Sequence, residues 1–427
     1  MKHDRYDNPI STRSDAARDH YIAATDLLLA GNPGISEEFR KAIDSDPDFA
    51  LAHVGLARGL QYEGRMQAAK EAMDAAKAAR GPRTEREASH IAAFDLLVAG
   101  KTAEAYPAIR AHVDEHPRDA LLAQTCTSVF GLIGFSGKPG REAEMLAYNA
   151  KLLPHYGEDW WCLSQYAFAL CETGNLAEAD IYIERSLALN PRNANGAHVR
   201  SHIYYETGDI DLGIAYLTDW LGPYDRAGYM HGHLSWHAAL WALEQGDTQT
   251  MWQRMETDIL PDVSQSLPIN VLTDAASLLF RAELAGVEVP QHLWSEISAY
   301  ALQFFPKTGI GFVDIHAALA HAMAGNGEAL MQIIAEPNPN TGDVVTPLAE
   351  AFRALAQQNW AEAAALLIGA MGDHARLGGS RAQRDLLEFA LLGALLKQGK
   401  DEEAKHLLAL RRPALVGTQS VHGLSVH

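Results

Sequence analysis

A chain of 427 residues exceeds what one compact hydrophobic core normally serves, so it divides into domains or into repeats that each pack on their neighbours. Its 54 acidic against 35 basic residues give a formal charge of −19, which opposes attraction to nucleic acid or to an anionic membrane, and neither is expected as a partner. Three cysteines, Cys126, Cys162 and Cys171, are odd in number and lack a spaced framework, which argues against structural disulfides and for a reducing compartment.

At the N-terminus Met1-Lys2-His3-Asp4-Arg5 leads into polar sequence without the apolar core of a signal peptide, and no later run is long enough to span a bilayer; a soluble, cytoplasmic protein is expected. Helix pairs then follow. In a tetratricopeptide-type repeat a glycine ends the first helix, a small residue lets the second approach closely, and a proline closes the unit. Gly64, Ala69 and Ala76 mark one unit after Asp46-Pro47, and Gly100, Ala105 and His116-Pro117 mark the next. The stretch from Gly131 to Glu142, with Gly134, Gly137, Pro139 and Gly140, interrupts the rhythm and reads as a connector, a lid over one face being the alternative. Trp160 to Pro191 is the clearest unit: Gly208 follows Gly174 by 34 residues, as Gly213 follows Ala179. Cys162 and Cys171 fall in its first helix as small buried hydrophobes. Beyond Gly208, glycines at 246, 286 and 325 are spaced by 38, 40 and 39, so the pairs continue with longer loops, broken again between Pro261 and Pro268. Gly399 and Ala404 set the last unit, and residues 414–427 read as a flexible tail. With no alternation long enough for a sheet, the expected fold is all-α: a single right-handed α-solenoid over 1–427, of about eleven helix pairs.

Several local motifs sit on this frame: Arg86-Glu87 with His90; Ala197-His198-Val199-Arg200-Ser201-His202; His233-Leu234-Ser235-Trp236-His237-Ala238-Ala239-Leu240; Asp274-Ala275-Ala276-Ser277-Leu278-Leu279 with Arg281; Asp314-Ile315-His316-Ala317-Ala318; and Leu377-Gly378-Gly379-Ser380-Arg381-Ala382-Gln383-Arg384-Asp385. Their order resembles the tetratricopeptide repeat protein 38 family over nearly the whole chain. The chain departs from that pattern at Gly196, where the family has a tryptophan nearby, and at Cys171-Glu172, where it has a pair of glutamates. The resemblance implies an α-solenoid and no particular reaction.

First helices line the concave face of such a solenoid, with the second, fifth, sixth, ninth and twelfth positions of each repeat facing the groove. His198 and His202 are fifth and ninth from Ala194; His233, Trp236 and His237 are second, fifth and sixth from Gly232; His316 is sixth from Gly311. Because neighbouring helices pack roughly 8–10 Å apart, these imidazoles reach a common point. Taken singly, each is a satisfied inner-face histidine; taken as a set, they point to a shared ligand site. His321, five residues from His316, points elsewhere. Two pairs at spacing four have helix-borne zinc geometry, but no glutamate follows the first histidine of either and no third ligand is identifiable. No resident metal and no cofactor are therefore expected, with metal assistance kept as an alternative.

Asp274 and Asp314 are placed to orient an imidazole. Asp274, Ser277 and Arg281 form a polar stripe that either bridges internally or meets ligand. Arg381 and Arg384, after the Gly378-Gly379-Ser380 turn, suit a carboxylate or phosphate at a helix start, unless Ser380 is a plain N-cap and Arg384 pairs with Asp385. No Gly-x-Ser-x-Gly elbow or Cys-His signature is present, and Ser235 and Ser277 sit on regular helices. The expected function is a histidine-rich concave groove that binds a peptide segment or a small acidic metabolite through His198, His202, His233, Trp236, His237, Asp274, Arg281, His316, Arg381 and Arg384. The alternative is a hydrolase or lyase with His202 or His237 as general acid and base and Asp274 orienting. Self-association into a homo-oligomer is a third reading.

Overall fold

Reversal of the chain after most first helices depends on glycine: Gly174 and Gly208 sit at φ 82° and 78°, a left-handed conformation that side chains with a Cβ resist, though Gln358 adopts it at φ 59° after the helix Gly342–Ala356. Close approach of the paired helices depends on small residues. Ala179 is fully buried, and at its counterpart Gly213 an added Cβ would lie 2.5 Å from the Trp241 ring.

The computed structural model describes residues 1–411; the stretch 414–427, read above as a tail, lies outside the described residues. Among the described residues twenty-two α-helices follow one another as eleven pairs: Asp15–Ala30 with Ile35–Ser45, Ala50–Tyr62 with Met66–Ala78, Glu85–Val98 with Thr102–Glu115, Ala120–Ala123 with Arg141–Tyr156, Trp160–Glu172 with Leu176–Leu189, Ala194–Thr207 with Ile210–Leu221, His231–Glu244 with Thr248–Arg254, Pro268–Leu284 with Gln291–Phe304, Gly311–Ala324 with Gly327–Ala335, Gly342–Ala356 with Trp360–Ala370, and Arg381–Lys397 with Asp401–Arg411. They are numbered α1 to α22 in that order. The fold is the expected all-α solenoid of tetratricopeptide-type pairs. A two-residue antiparallel ladder, Lys2 opposite Ile10 and His3 opposite Pro9, precedes α1. Among the described residues no helix is long and apolar enough to cross a membrane.

Odd-numbered helices face inward and even-numbered ones outward, as the sequence dictates. Every residue of α9 except Tyr166 is buried, whereas α10 buries only Ala179, Ile183 and Ser186 along one stripe. Cys126, Cys162 and Cys171 are free and buried, their thiols pushed upward by burial.

The inner face is not an open groove. α1 packs against α11, and α21 packs against both α11 and α15, so distant repeats meet across the axis. Asn195 Nδ2 donates to the Leu29 carbonyl at 2.9 Å, and Tyr224 Oη donates to that of Gly31. The segment between α7 and α8, read above first as a connector, spans the concave side. Phe135 stacks on both Phe130 and Phe312, which also touch each other, Arg376 Nε donates to the Gly137 carbonyl at 2.9 Å, and Arg141 donates to the carbonyls of Ala375 and Gly379. Burial, with Arg384 beside it, pulls the Arg141 guanidinium down to about 9. The accessible surface of 16,542 Å² is close to the roughly 16,000 Å² of a compact globular chain of this mass, which an extended superhelix would exceed.

One buried polar node lies outside this seam. Asp119 accepts from Arg86, from His90 Nδ1 at 2.9 Å and from His112 Nε2 at 3.1 Å, while His112 Nδ1 meets Ser89 Oγ at 2.7 Å. Burial would raise the Asp119 carboxyl, but His90, His112 and Arg86 hold it well below the usual range. Arg86 also donates to the Pro9 carbonyl, which ties the N-terminal ladder to α5.

Candidate functional site

α11 and α13 are adjacent inner helices, and each carries two histidines at spacing four, so each presents a short column of imidazoles to the same space. His198, His202, His233 and His237 each bring one ring nitrogen to within 4.8 Å of the other three. His198 Nε2 lies 2.8 Å from His202 Nε2 and 3.0 Å from His233 Nε2. His202 and His237 are fully buried, and His198 is half-buried. Burial, followed by repulsion from the neighbouring rings, holds His198 and His237 well below the ordinary imidazole range and His202 down at about 3, so all three are neutral near pH 7.

Two carboxylates flank the cluster. Asp274 Oδ2 lies 2.7 Å from His233 Nδ1, so this nitrogen carries an N–H toward the carboxylate and His233 Nε2 is the one turned to its neighbours. Glu172, at the last turn of α9, places Oε1 4.0 Å from His202 Nδ1, while its Oε2 accepts from the Arg381 backbone amide at 2.9 Å. Burial raises the Glu172 carboxyl to about 7 against the pull of Arg384.

A cavity of about 110 Å³ reaches the cluster at His198 and His233. Its walls are Leu28, Leu29, Tyr62, Phe130, Trp161 and Phe168, with Gln124, Gln165, Asn270 and Gln383 supplying amides. None of its lining residues is exposed, and none is a lysine or arginine.

Other residues singled out from the sequence fall elsewhere. Trp236 is fully buried behind the cluster, stacked on His233 at 5.3 Å with its Nε1 donating to Ser277 Oγ at 3.0 Å; it backs the site and does not line the cavity. Arg281 makes no bridge to Asp274: it donates to the Ala382 carbonyl at 2.6 Å and to Tyr205 Oη at 3.3 Å and covers the Phe389 ring, locking α15 to α21. His316 Nδ1 donates to the Phe312 carbonyl at 2.7 Å, apart from the four-histidine group. His321 instead meets Ser298 Oγ at 2.8 Å. Asp314 accepts from the Gly309 amide, at 3.2 and 3.3 Å to its two oxygens, and touches no imidazole. The α21 N-terminus has an internal occupant: Ser380 and Gln383 form a capping box, Glu172 takes the Arg381 amide, and Arg384 pairs with Glu142. Glu172 and Gln383 were named from the sequence only within motifs, not as part of the histidine site, and the α1 and α3 residues of the wall were not singled out. Glu172 left a signal, a carboxylate ending an otherwise apolar inner helix.

Stacked helix pairs with first helices inward, closed around a polar cluster, define a tetratricopeptide-type helical-repeat protein. No family model matches the chain. Solved structures similar to it include a human IFIT1 dimer with PPP-AAAA, at 15% identity over 95% of this chain and 88% of that one, TM-score 0.45. Yeast Tom70 matches at 15% identity over 92% of this chain and 82% of that one, TM-score 0.35. The TPR domain of P58(IPK) matches at 16% identity over 93% and 99%, TM-score 0.20. At these identities the likeness is one of fold. It corrects one expectation: IFIT1, a chain of this class, is seen with RNA, PPP-AAAA or m7Gppp-AAAA, so the exclusion of nucleic acid drawn from net charge is withdrawn. The physical reason is that net charge describes the distant field, whereas a recessed groove sees only charges within about a Debye length, ~8–10 Å.

Proposed function

We propose that this protein binds one small molecule in the recessed cavity, with its apolar body against the aromatic wall and its hydrogen-bonding head at His198 and His233. The size and lining of the cavity carry this reading. An apolar cavity of about 150 Å³ accommodates a benzene ring, and 110 Å³ bounded by Tyr62, Phe130, Trp161 and Phe168 suits a monocyclic or short-chain molecule, not a peptide segment. The wall offers no cation to pair with a free acid, so amides and imidazoles select the head group by hydrogen bonding. Kinship with the tetratricopeptide repeat protein 38 family belongs to the same reading, since the four histidines and Asp274 all fall in the motifs that carry the resemblance.

A second reading, acid–base chemistry on the bound molecule, is favoured by the Asp274–His233 pair. That contact fixes the tautomer and leaves Nε2 as the base, the arrangement a hydrolase or lyase needs. Calorimetric titration of tag-free protein with phenol, benzamide and hexanamide, repeated on Ser128→Trp, at another residue of the cavity wall, tests the binding claim. At least one probe should bind at one per chain in the wild type and lose about tenfold or more in affinity when the tryptophan fills the cavity. Binding of none, or equal binding by folded Ser128→Trp, overturns it.

A further inference from the structure

We infer that His198, His202, His233 and His237 form a binding site for one divalent transition metal, with zinc the best match. Two of these rings, His198 and His233, also end the cavity, so a bound ion would sit at the head of whatever the cavity holds.

Proton bookkeeping is the first argument. With His233 Nδ1 committed to Asp274, its Nε2 faces His198 Nε2 at 3.0 Å, and His202 Nε2 faces the same His198 nitrogen at 2.8 Å. His198 Nε2 is the shared neighbour in both contacts, so whichever ring carries the hydrogen, at least one of these three nitrogens turns a lone pair into the cluster. Neither nitrogen of buried His237 has a hydrogen-bond partner, nor does His202 Nδ1. A buried polar atom left in that state is costly, and a metal ion accepts one lone pair from each ring, which gives a partner to one nitrogen of His237 and to the facing nitrogens of the other three.

The donor chemistry selects the ion. Four neutral imidazoles and no oxygen donor in the inner set suit zinc, copper, nickel or iron and exclude calcium and magnesium. Tetrahedral zinc with Zn–N of about 2.0–2.1 Å fits within the observed convergence after small rotations of the rings. The surroundings are those of a metal site: Asp274 on His233 completes a carboxylate–histidine pair, and Glu172 stands behind His202.

A comparison within the molecule sharpens the point. The His90, His112 and Asp119 group also converges, but the Arg86 guanidinium already supplies its positive charge, and its contacts to Asp119 and Ser89 leave His90 Nε2 as its one imidazole nitrogen without a partner. The four-histidine group contains no such cation.

The test is titration of chelator-stripped, tag-free, full-length protein with cobalt(II), followed by zinc competition. The wild type should develop the visible absorption of tetrahedral cobalt at about one equivalent, lose it to zinc, and melt at a higher temperature with either ion. His202→Ala/His237→Ala should take up no stoichiometric cobalt and show no metal-dependent melting shift. Asp274→Asn, which keeps all four ligands, should bind about 10–100-fold more weakly, and His321→Ala should bind as the wild type does. Failure of the wild type to bind either ion at micromolar concentration overturns the inference. So does undiminished binding by the double variant. If that variant does not fold, undiminished cobalt affinity in folded Asp274→Asn counts against the site in its place.

Discussion

Phe312→Ala is expected to lower stability by about 3–5 kcal/mol, the usual cost of removing a fully buried phenylalanine, and to weaken ligand binding as well. Its ring holds the seam: centroids lie 5.7 Å from Phe130 and 6.2 Å from Phe135, and an added Cβ at Gly379 would meet it at 2.4 Å. Phe130 is also a wall of the cavity, so loss of its support changes the cavity itself. Phe352 is equally buried but packs on Phe280 within the C-terminal core. Phe352→Ala should therefore cost a similar amount in a urea melt while leaving affinity for the small probes unchanged; equal loss of affinity in both variants would mean that the seam has no special part in the site.

Asp314→Asn is expected to remove a pH dependence worth about 2–4 kcal/mol. Burial raises the Asp314 carboxyl from its ordinary 3.8 to about 7, with the Gly309 and Ile310 amides offsetting part of the rise. A raised carboxyl means that the native chain holds a proton which the unfolded chain releases. The stabilisation is thus fully present below pH 4 and is lost as pH climbs from about 4 to 7, at up to about 1.4 kcal/mol per pH unit. Denaturation of wild type and variant at pH 4.5 and pH 8 reads the difference directly. The variant should gain on the wild type as pH rises, and a pH-independent gap would show that Asp314 is ionised throughout.

The repeat architecture was legible because it rests on local rules. Gly174, Ala179 and Pro191 each answer a steric demand within one helix pair, and the same demand recurs along the chain. The histidine convergence was legible for a related reason: spacing of four on two consecutive inner helices fixes a shared face without any knowledge of overall shape. Closure was not legible. Contacts such as Arg141 with Gly379 and Asn195 with Leu29 span 238 and 166 residues, and they depend on small rotations accumulated repeat by repeat. For that reason Leu28, Tyr62 and Gln124 were absent from the expected site, and a groove was expected where a cavity lies. Trp236 and Arg281 show a narrower limit. Position in the repeat places them inward, but an inward residue in a closed solenoid meets another helix before it meets a ligand.

The account turns on a recessed apolar cavity at the histidines in place of an open channel. A crystal pressurised with xenon and measured for anomalous scattering examines that most directly, since xenon settles in apolar cavities. A xenon peak bounded by Phe130, Trp161 and Phe168, beside His198, is the predicted result. No peak there, with continuous ordered solvent running along the inner face instead, would contradict it.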